Sequence, residues 1–190
     1  MPFQKYLSFV KFSHTLFALP FALVGFFMAV KVHDYPFSWG LFLLVLGCMV
    51  TARNAAMGFN RFIDRTIDAR NERTSFREIP AGKIKPDAAL IFVLINASLF
   101  VVLTWFINFI CFVLSPVALA IILGYSLTKQ FTWLCHFVLG LGLSLAPIGA
   151  YLAVSGHFDL LPVLLSVMVL TWVSGFDIIY ALQDEEFDRT

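Results

Sequence analysis

Asn60, Asp64 and Asp68 recur every four residues in the run Arg53-Asn-Ala-Ala-Met-Gly-Phe-Asn60-Arg-Phe-Ile-Asp64-Arg-Thr-Ile-Asp68. A helix over this run stacks one amide and two carboxylates on a single face. Oxygen donors of this kind suit Mg²⁺ held jointly with substrate phosphates. The competing reading is a solvated helix whose acids are neutralised by Arg61, Arg65 and Arg70. A second set lies at the other end of the chain, where Asp177, Tyr180, Asp184 and Asp188 are offset by 3, 4 and 4 residues. They too share one helical face. Asp177 falls at the end of a long apolar stretch, where an ionisable group is costly and points to function.

The segment after Asp68 adds cations. Arg73 and Arg77 can give bidentate contacts to a phosphorylated ligand, whereas Lys83 and Lys85 read as the ordinary basic flank of a membrane span.

The elements that position these residues follow from composition. Of 190 residues, 60% are hydrophobic and 13% charged, with a mean hydropathy of +0.87; soluble domains carry about 25% charged residues. This excludes a soluble globular protein and, with ordinary Gly and Pro content and three scattered cysteines, also collagen-like, disordered and disulfide-framework classes. The charges are clustered: 13 of the 25 lie between Arg53 and Asp87, and from Ala88 to Phe176 only Lys129 and Asp159 occur. A crossing takes roughly 20 apolar residues, which divides the chain into six predicted spans near 15–31, 38–59, 88–107, 110–127, 133–154 and 161–179. The uncharged run 88–128 is too long for one crossing and is expected to break around Trp105 to Asn108. The first span follows Lys5 and Lys11 but ends without a signal-peptide cleavage pattern, so it is expected to be retained.

The fold class is therefore all-α, a polytopic membrane helical bundle forming a single domain over 1–190. Twelve Lys and Arg fall on the side of the amino terminus and of the loops after the second, fourth and sixth spans, against Lys31 alone on the other. That asymmetry expects cytoplasmic termini. The second and sixth spans then end on the same side, so the two acidic faces can meet at one bundle mouth. Together they could hold two Mg²⁺ ions around a diphosphate.

These residues resemble the UbiA superfamily of intramembrane aromatic prenyltransferases. Its two Asp-rich motifs match here as N-x-x-x-D-x-x-x-D at Asn60, Asp64 and Asp68 and as D-x-x-Y-x-x-x-D-x-x-x-D at Asp177, Tyr180, Asp184 and Asp188. Arg53 seven residues before Asn60, the R-T-x-x-R-x-x-P-x-G element from Arg73 to Gly82, and Tyr125-Ser-Leu-Thr-Lys129-Gln-Phe-Thr-Trp133 match as well. The opening Lys11-Phe-Ser-His14-Thr-Leu-Phe-Ala-Leu-Pro20 looks most like the 4-hydroxybenzoate polyprenyltransferases and the related enzymes of menaquinone biosynthesis.

The resemblance implies transfer of a polyprenyl group from polyprenyl diphosphate to a ring carbon of an aromatic acid, in ubiquinone or menaquinone biosynthesis. It implies Mg²⁺ held by Asp64, Asp68, Asp177 and Asp184, with Asn60 and Asp188 in the same motifs, as the reacting centre. Lys129, Arg73 and Arg77 would serve the diphosphate, and Asn60 and Tyr180 would also bind substrate. For Arg53, inside a span, a substrate carboxylate is the expected partner, with an ion pair to Asp64 or Asp68 the structural alternative. Asp184 could instead take the acceptor's phenolic proton. The family has eight or nine helices where about six are expected here, so the carboxyl-terminal helices are expected to be missing.

Two rivals stand beside the enzyme. A cation transporter also uses intramembrane carboxylates, though it commonly has inverted repeats, and here both acidic sets point to one side. A non-catalytic membrane fragment is the other. The partners expected are the prenyl diphosphate, the aromatic acid and the lipid bilayer, and no nucleic acid. His136 reads as a hydrogen-bonded packing residue, His33 and His157 lie on the far side, and Cys48, Cys111 and Cys135 read as small apolar residues. His14 could touch a substrate or sit at the interface. Gly140 with Ser144, and Gly142 with Ala146 and Ala150, have the spacing of helix packing.

Overall fold

Asn108 explains how one uncharged run becomes two helices. In the computed structural model, which describes residues 9–10 and 18–181, its backbone is extended at φ −164° and ψ 166°. Its side-chain oxygen accepts from Cys111 N at 2.8 Å, and its amide nitrogen donates to the Leu152 carbonyl at 2.9 Å. The residue thus caps the next helix and ties the turn to a third one. The break expected around Trp105 to Asn108 is found there.

The described elements are α1 (Leu19–Val32), α2 (Trp39–Ile63), α3 (Arg65–Asp68), α4 (Pro86–Ile107), α5 (Phe109–Thr128), α6 (Cys135–Ser155) and α7 (Leu160–Ala181). Ser38 caps α2 by accepting from Leu41 N, and Pro86 starts α4, where a missing N–H costs nothing. No strand occurs among the described residues. Five of the helices, α2 and α4 to α7, are long and apolar enough to cross a membrane, and α1 is a shorter apolar helix over its described residues. Large side chains such as Leu94, Phe106, Val117, Leu164 and Trp172 are exposed on these helices. That distribution belongs to an integral membrane protein, whose outward face meets lipid.

Packing pairs α2 with α4, α4 with α5, α5 with α6, and α6 with both α1 and α7. Small residues make the close approaches, as expected for helices without a hydrophobic force between them. A Cβ on Gly25 of α1 would meet the Pro147 carbonyl oxygen of α6 at 2.1 Å, and one on Gly140 of α6 would meet Ser174 Oγ of α7 at 2.2 Å. Gly140 and Ser144 therefore do the packing that their spacing suggested, and Ala146, Ala150 and Gly142, which faces Ile122, combine packing with lining a cavity. Ala22, Phe26, Val45, Ala150 and Ala153 form a core joining α1, α2 and α6. A second cluster, Phe9, Val10, Ile79, Ile84 and Ala89, seats the loop between α3 and α4.

Candidate active site

α2 carries Arg53 and Asn60, and Asp64 is the residue at which α2 gives way to α3. The expected unbroken helix over the first acidic set is thus interrupted, but its register survives. Asp64 N donates to Asn60 O at 2.9 Å and Asp68 N to Asp64 O at 2.8 Å, both four residues back. Asp64 is 2% exposed. A carboxylate so buried needs partners, and Asp64 Oδ2 accepts from Asn60 Nδ2 and from Lys129 Nζ, each at 3.2 Å. Its other oxygen, Oδ1, is buried with no hydrogen-bond partner among the described residues. A buried anionic oxygen left open is what a cation site offers.

Asp68 is also buried, and Arg77 Nη1 donates to both of its carboxylate oxygens at 2.7 and 2.9 Å. The neutralising role considered for Arg61, Arg65 and Arg70 is not what the fold shows for the first two. Arg61 is buried against Glu78, and Arg65 lies over the Phe62 ring while donating to the Phe62 carbonyl. Arg70 is exposed.

From the second set, Asp177 sits near the end of α7 and its Oδ2 lies 2.7 Å from His136 Nδ1, in the first turn of α6. His136 is the residue that sequence reasoning passed over. Its signal was positional, a histidine at the mouth end of the fifth span beside the mouth end of the sixth. Tyr180 is exposed and stacks on Phe176, with centroids 6.2 Å apart, and it does not line the cavity. Arg73 is also exposed, its backbone N–H donating to Asn71 Oδ1. Asp184 and Asp188, like His14, lie outside the described residues.

A cavity of about 650 Å³ runs between α2, α5, α6 and α7. Most of its wall is aliphatic, including Val45, Ile121 and Leu143, and Arg53, Asn60, Tyr125 and Asp177 put polar groups into it. Asn60 of the first set and Asp177 of the second thus face one space, whereas Asp64 and Asp68 are not among its lining residues. Arg53 lies two turns deeper than Asn60, about 10 Å along α2. Its Nε is buried with no hydrogen-bond partner among the described residues, and neither Asp64 nor Asp68 pairs with it. The structural alternative, an internal ion pair, is therefore absent there.

The fold and site together define a polytopic helical membrane protein with an acidic and basic mouth on an apolar cavity. Residues 18–190 match the family model described as the UbiA prenyltransferase family, and the chain belongs to that family. It is 34% identical over 169 residues to the 4-hydroxybenzoate octaprenyltransferase of Aliivibrio fischeri strain MJ11, covering 81% of this chain and 58% of that one. To the protein of the same name from Aliivibrio salmonicida it is 33% identical, covering 79% and 53%. The chain thus spans between half and three fifths of these relatives. Among solved structures, a UbiA homologue from Aeropyrum pernix K1 superposes with a TM-score of 0.83 at 33% identity, covering 94% of this chain and 66% of that one. A homologue from Archaeoglobus fulgidus, determined with GPP and Mg²⁺, shares the fold at a TM-score of 0.78 and 21% identity, covering 97% and 65%.

Proposed function

We propose that the protein catalyses Mg²⁺-dependent transfer of a polyprenyl group from polyprenyl diphosphate to a ring carbon of an aromatic acid such as 4-hydroxybenzoate, in ubiquinone or menaquinone biosynthesis. The observation that carries this reading is the orphaned Arg53 Nε in an apolar cavity whose wall also includes Asn60 and Asp177. A long isoprenoid chain matches the aliphatic wall. A buried guanidinium matches an acceptor carboxylate, since charge-assisted bidentate contacts are the strongest available to it.

The open oxygen of Asp64, together with Asp177, fits a hard cation with oxygen ligands, and Asn60, Asp68, Asp184 and Asp188 are the further donors of the two motifs. When bound there, Mg²⁺ would stabilise the charge that develops on the leaving diphosphate. Lys129, already 3.2 Å from Asp64, adds a positive charge at the same place, and Arg73 and Arg77 stand in the adjoining loop. As the allylic C–O bond breaks, the electron pair leaves with diphosphate, and the electron-rich ring carbon forms the new C–C bond. The substituted ring carbon then gives up its hydrogen as a proton, which restores the aromatic ring, and Asp184, where it does not serve the metal, is the alternative base for the acceptor's phenolic proton. The aliphatic wall keeps out water that would trap the allylic cation. The positive-inside count supports placing the mouth and the amino terminus on the cytoplasmic side of a bacterial inner membrane.

The test is product formation from radiolabelled 4-hydroxybenzoate and a polyprenyl diphosphate in membranes containing this chain, with and without chelator. Product that requires Mg²⁺ and disappears in Asp64→Asn is the expected result. No product with any aromatic acceptor overturns the reading.

A further inference from the structure

At the end of the bundle opposite the acidic mouth, three groups from two loops converge. His33 closes α1, and His157 and Asp159 lie in the turn between α6 and α7. Their ligand-type atoms lie within 4.8 Å of one another. α6 has 21 residues, so about 30 Å of helix separates this cluster from His136 and the mouth. Nothing in the proposed prenyl transfer uses it.

The proton inventory shows what the cluster needs. His157 Nδ1 is 2.9 Å from the Ser155 carbonyl, an acceptor only, so the hydrogen of a neutral ring sits on Nδ1. Its Nε2 then presents a lone pair, and that atom faces Asp159 Oδ2 at 3.3 Å. Two acceptors cannot face each other unaided: either a proton on Nε2, which makes His157 an imidazolium, or a metal cation held by both atoms satisfies the pair. Asp159 Oδ2 also accepts from the Tyr151 hydroxyl and lies 3.0 Å from His33 Nε2, which is itself 2.8 Å from the Tyr151 hydroxyl oxygen.

The surroundings hold these groups in place. Tyr151 is fully buried on α6, whereas His33 and Asp159 are half-buried and His157 is exposed, so the cluster is anchored from inside and reachable from outside. Gly156 at φ 73° turns the chain out of α6, which brings His157 back over Ser155, and Asp34 at φ 51° makes the corresponding turn after His33. Donation from a ring N–H to a backbone carbonyl is also the usual support of a metal-ligating histidine, because it fixes the tautomer and aims the other nitrogen.

We propose that His33, His157 and Asp159 form a binding site for a borderline divalent transition metal of the zinc class. Two imidazole nitrogens and one carboxylate oxygen are a ligand set of that class, with the fourth position open to water. Bond lengths of about 2.0–2.2 Å put tetrahedral neighbours roughly 3.3–3.5 Å apart, close to the 3.0 and 3.3 Å already present between the histidines and Asp159. Such a metal would tie the α1–α2 loop to the α6–α7 turn.

The chain, purified in detergent and stripped with EDTA, would be held in excess Mg²⁺ to occupy the carboxylates of the mouth, then titrated with ZnCl₂ and assayed for bound zinc by elemental analysis. The expected result is one zinc per chain, with affinity falling at least about tenfold in His33→Gln and in His157→Asn and unchanged in Asp64→Asn. Circular dichroism would verify that the variants remain helical. Co²⁺ added to the unaltered chain should give the visible bands of tetrahedral coordination, independently of any variant. No uptake of zinc, uptake that survives in both histidine variants, or octahedral cobalt spectra would each overturn the proposal.

Discussion

Lys129 and Asp64 stand 65 residues apart in the chain and 3.2 Å apart in space, joining the end of α5 to the junction of α2 and α3. The two are unequal partners, since the Asp64 side chain is 2% exposed and that of Lys129 is 50% exposed. The buried carboxylate is thus presented to the mouth with its charge only partly met. Replacing Lys129 with Met should leave the fold intact, because water can reach the vacated position. It should lower kcat/KM for the prenyl diphosphate by roughly 10²-fold, the scale of losing one charge-stabilising donor. Steady-state kinetics with Lys129→Arg as the charge-conserving comparison would check this. An unchanged kcat/KM in Lys129→Met would remove the lysine from the diphosphate site.

His136 holds Asp177 at 2.7 Å and so sets the orientation of a carboxylate that faces the cavity. Under the proposed function it would act as a positioning residue. His136→Phe should raise the Mg²⁺ concentration needed for half-maximal activity by about 10- to 100-fold, the range for loss of such a support. His136→Asn, which keeps a hydrogen-bonding group, should recover part of that loss. A merely structural role would lower thermal stability without moving the Mg²⁺ dependence.

The two histidine roles show where the sequence was legible. Gaps in charge located the five long spans, α2 and α4 to α7, because hydrocarbon excludes charge irrespective of tertiary detail, and Asn108 ended its helix where a polar residue interrupted an apolar run. The acidic register was legible for the same local reason, since backbone bonds four residues apart persist through Asp64. Partners across the bundle were not. Arg61 with Glu78, Arg77 with Asp68 and His136 with Asp177 are chosen by helix rotation and loop path. No spacing encodes those.

Under the proposed function, Arg53 should give the acceptor a distinct signature. Its Nε is buried and unpartnered among the described residues, so a bound carboxylate would meet a desolvated charge. Arg53→Ala should raise KM for the aromatic acid by about 10- to 100-fold, as expected for a charged hydrogen bond of about 1.5–3 kcal/mol. KM for the prenyl diphosphate should change little. Kinetics varying each substrate in turn would separate the two, and equal effects on both would argue for a general loss of cavity shape.

Asp159 lies outside the spans, and hydrogen bonds from Tyr151 and then His33 hold its carboxyl below the ordinary value of 3.8 against the opposing effect of desolvation. A group with a depressed folded-state pKa stabilises the fold fully above its ordinary value, and that contribution is lost as pH falls through the depressed one. The groups facing it are Tyr151, His33 and His157, with Tyr35 beside His33. In metal-free protein the melting temperature of the unaltered chain should therefore exceed that of Asp159→Asn at neutral pH. The difference should shrink only below pH 3.8. A gap that closed between neutral pH and that value would contradict the assigned cause.

Gly140 and Gly175 should respond to alanine with opposite signs. On Gly140 the new methyl would lie 2.6 Å from the Leu170 carbonyl oxygen as well as 2.2 Å from Ser174 Oγ. Ser174 Oγ can rotate, but the carbonyl belongs to α7 and cannot yield without parting the helices. Overpacking of this kind costs about 1–3 kcal/mol, which exceeds the gain of up to about 1 kcal/mol from replacing a helical glycine. A methyl on Gly175 meets nothing within 4 Å and that residue is exposed, so the helix gain stands alone. Thermal unfolding in detergent should give a lower Tm for Gly140→Ala and an equal or higher one for Gly175→Ala. Gly140→Ala with an unchanged Tm would mean that α6 and α7 separate easily at this crossing, and the packing described for it would then be wrong.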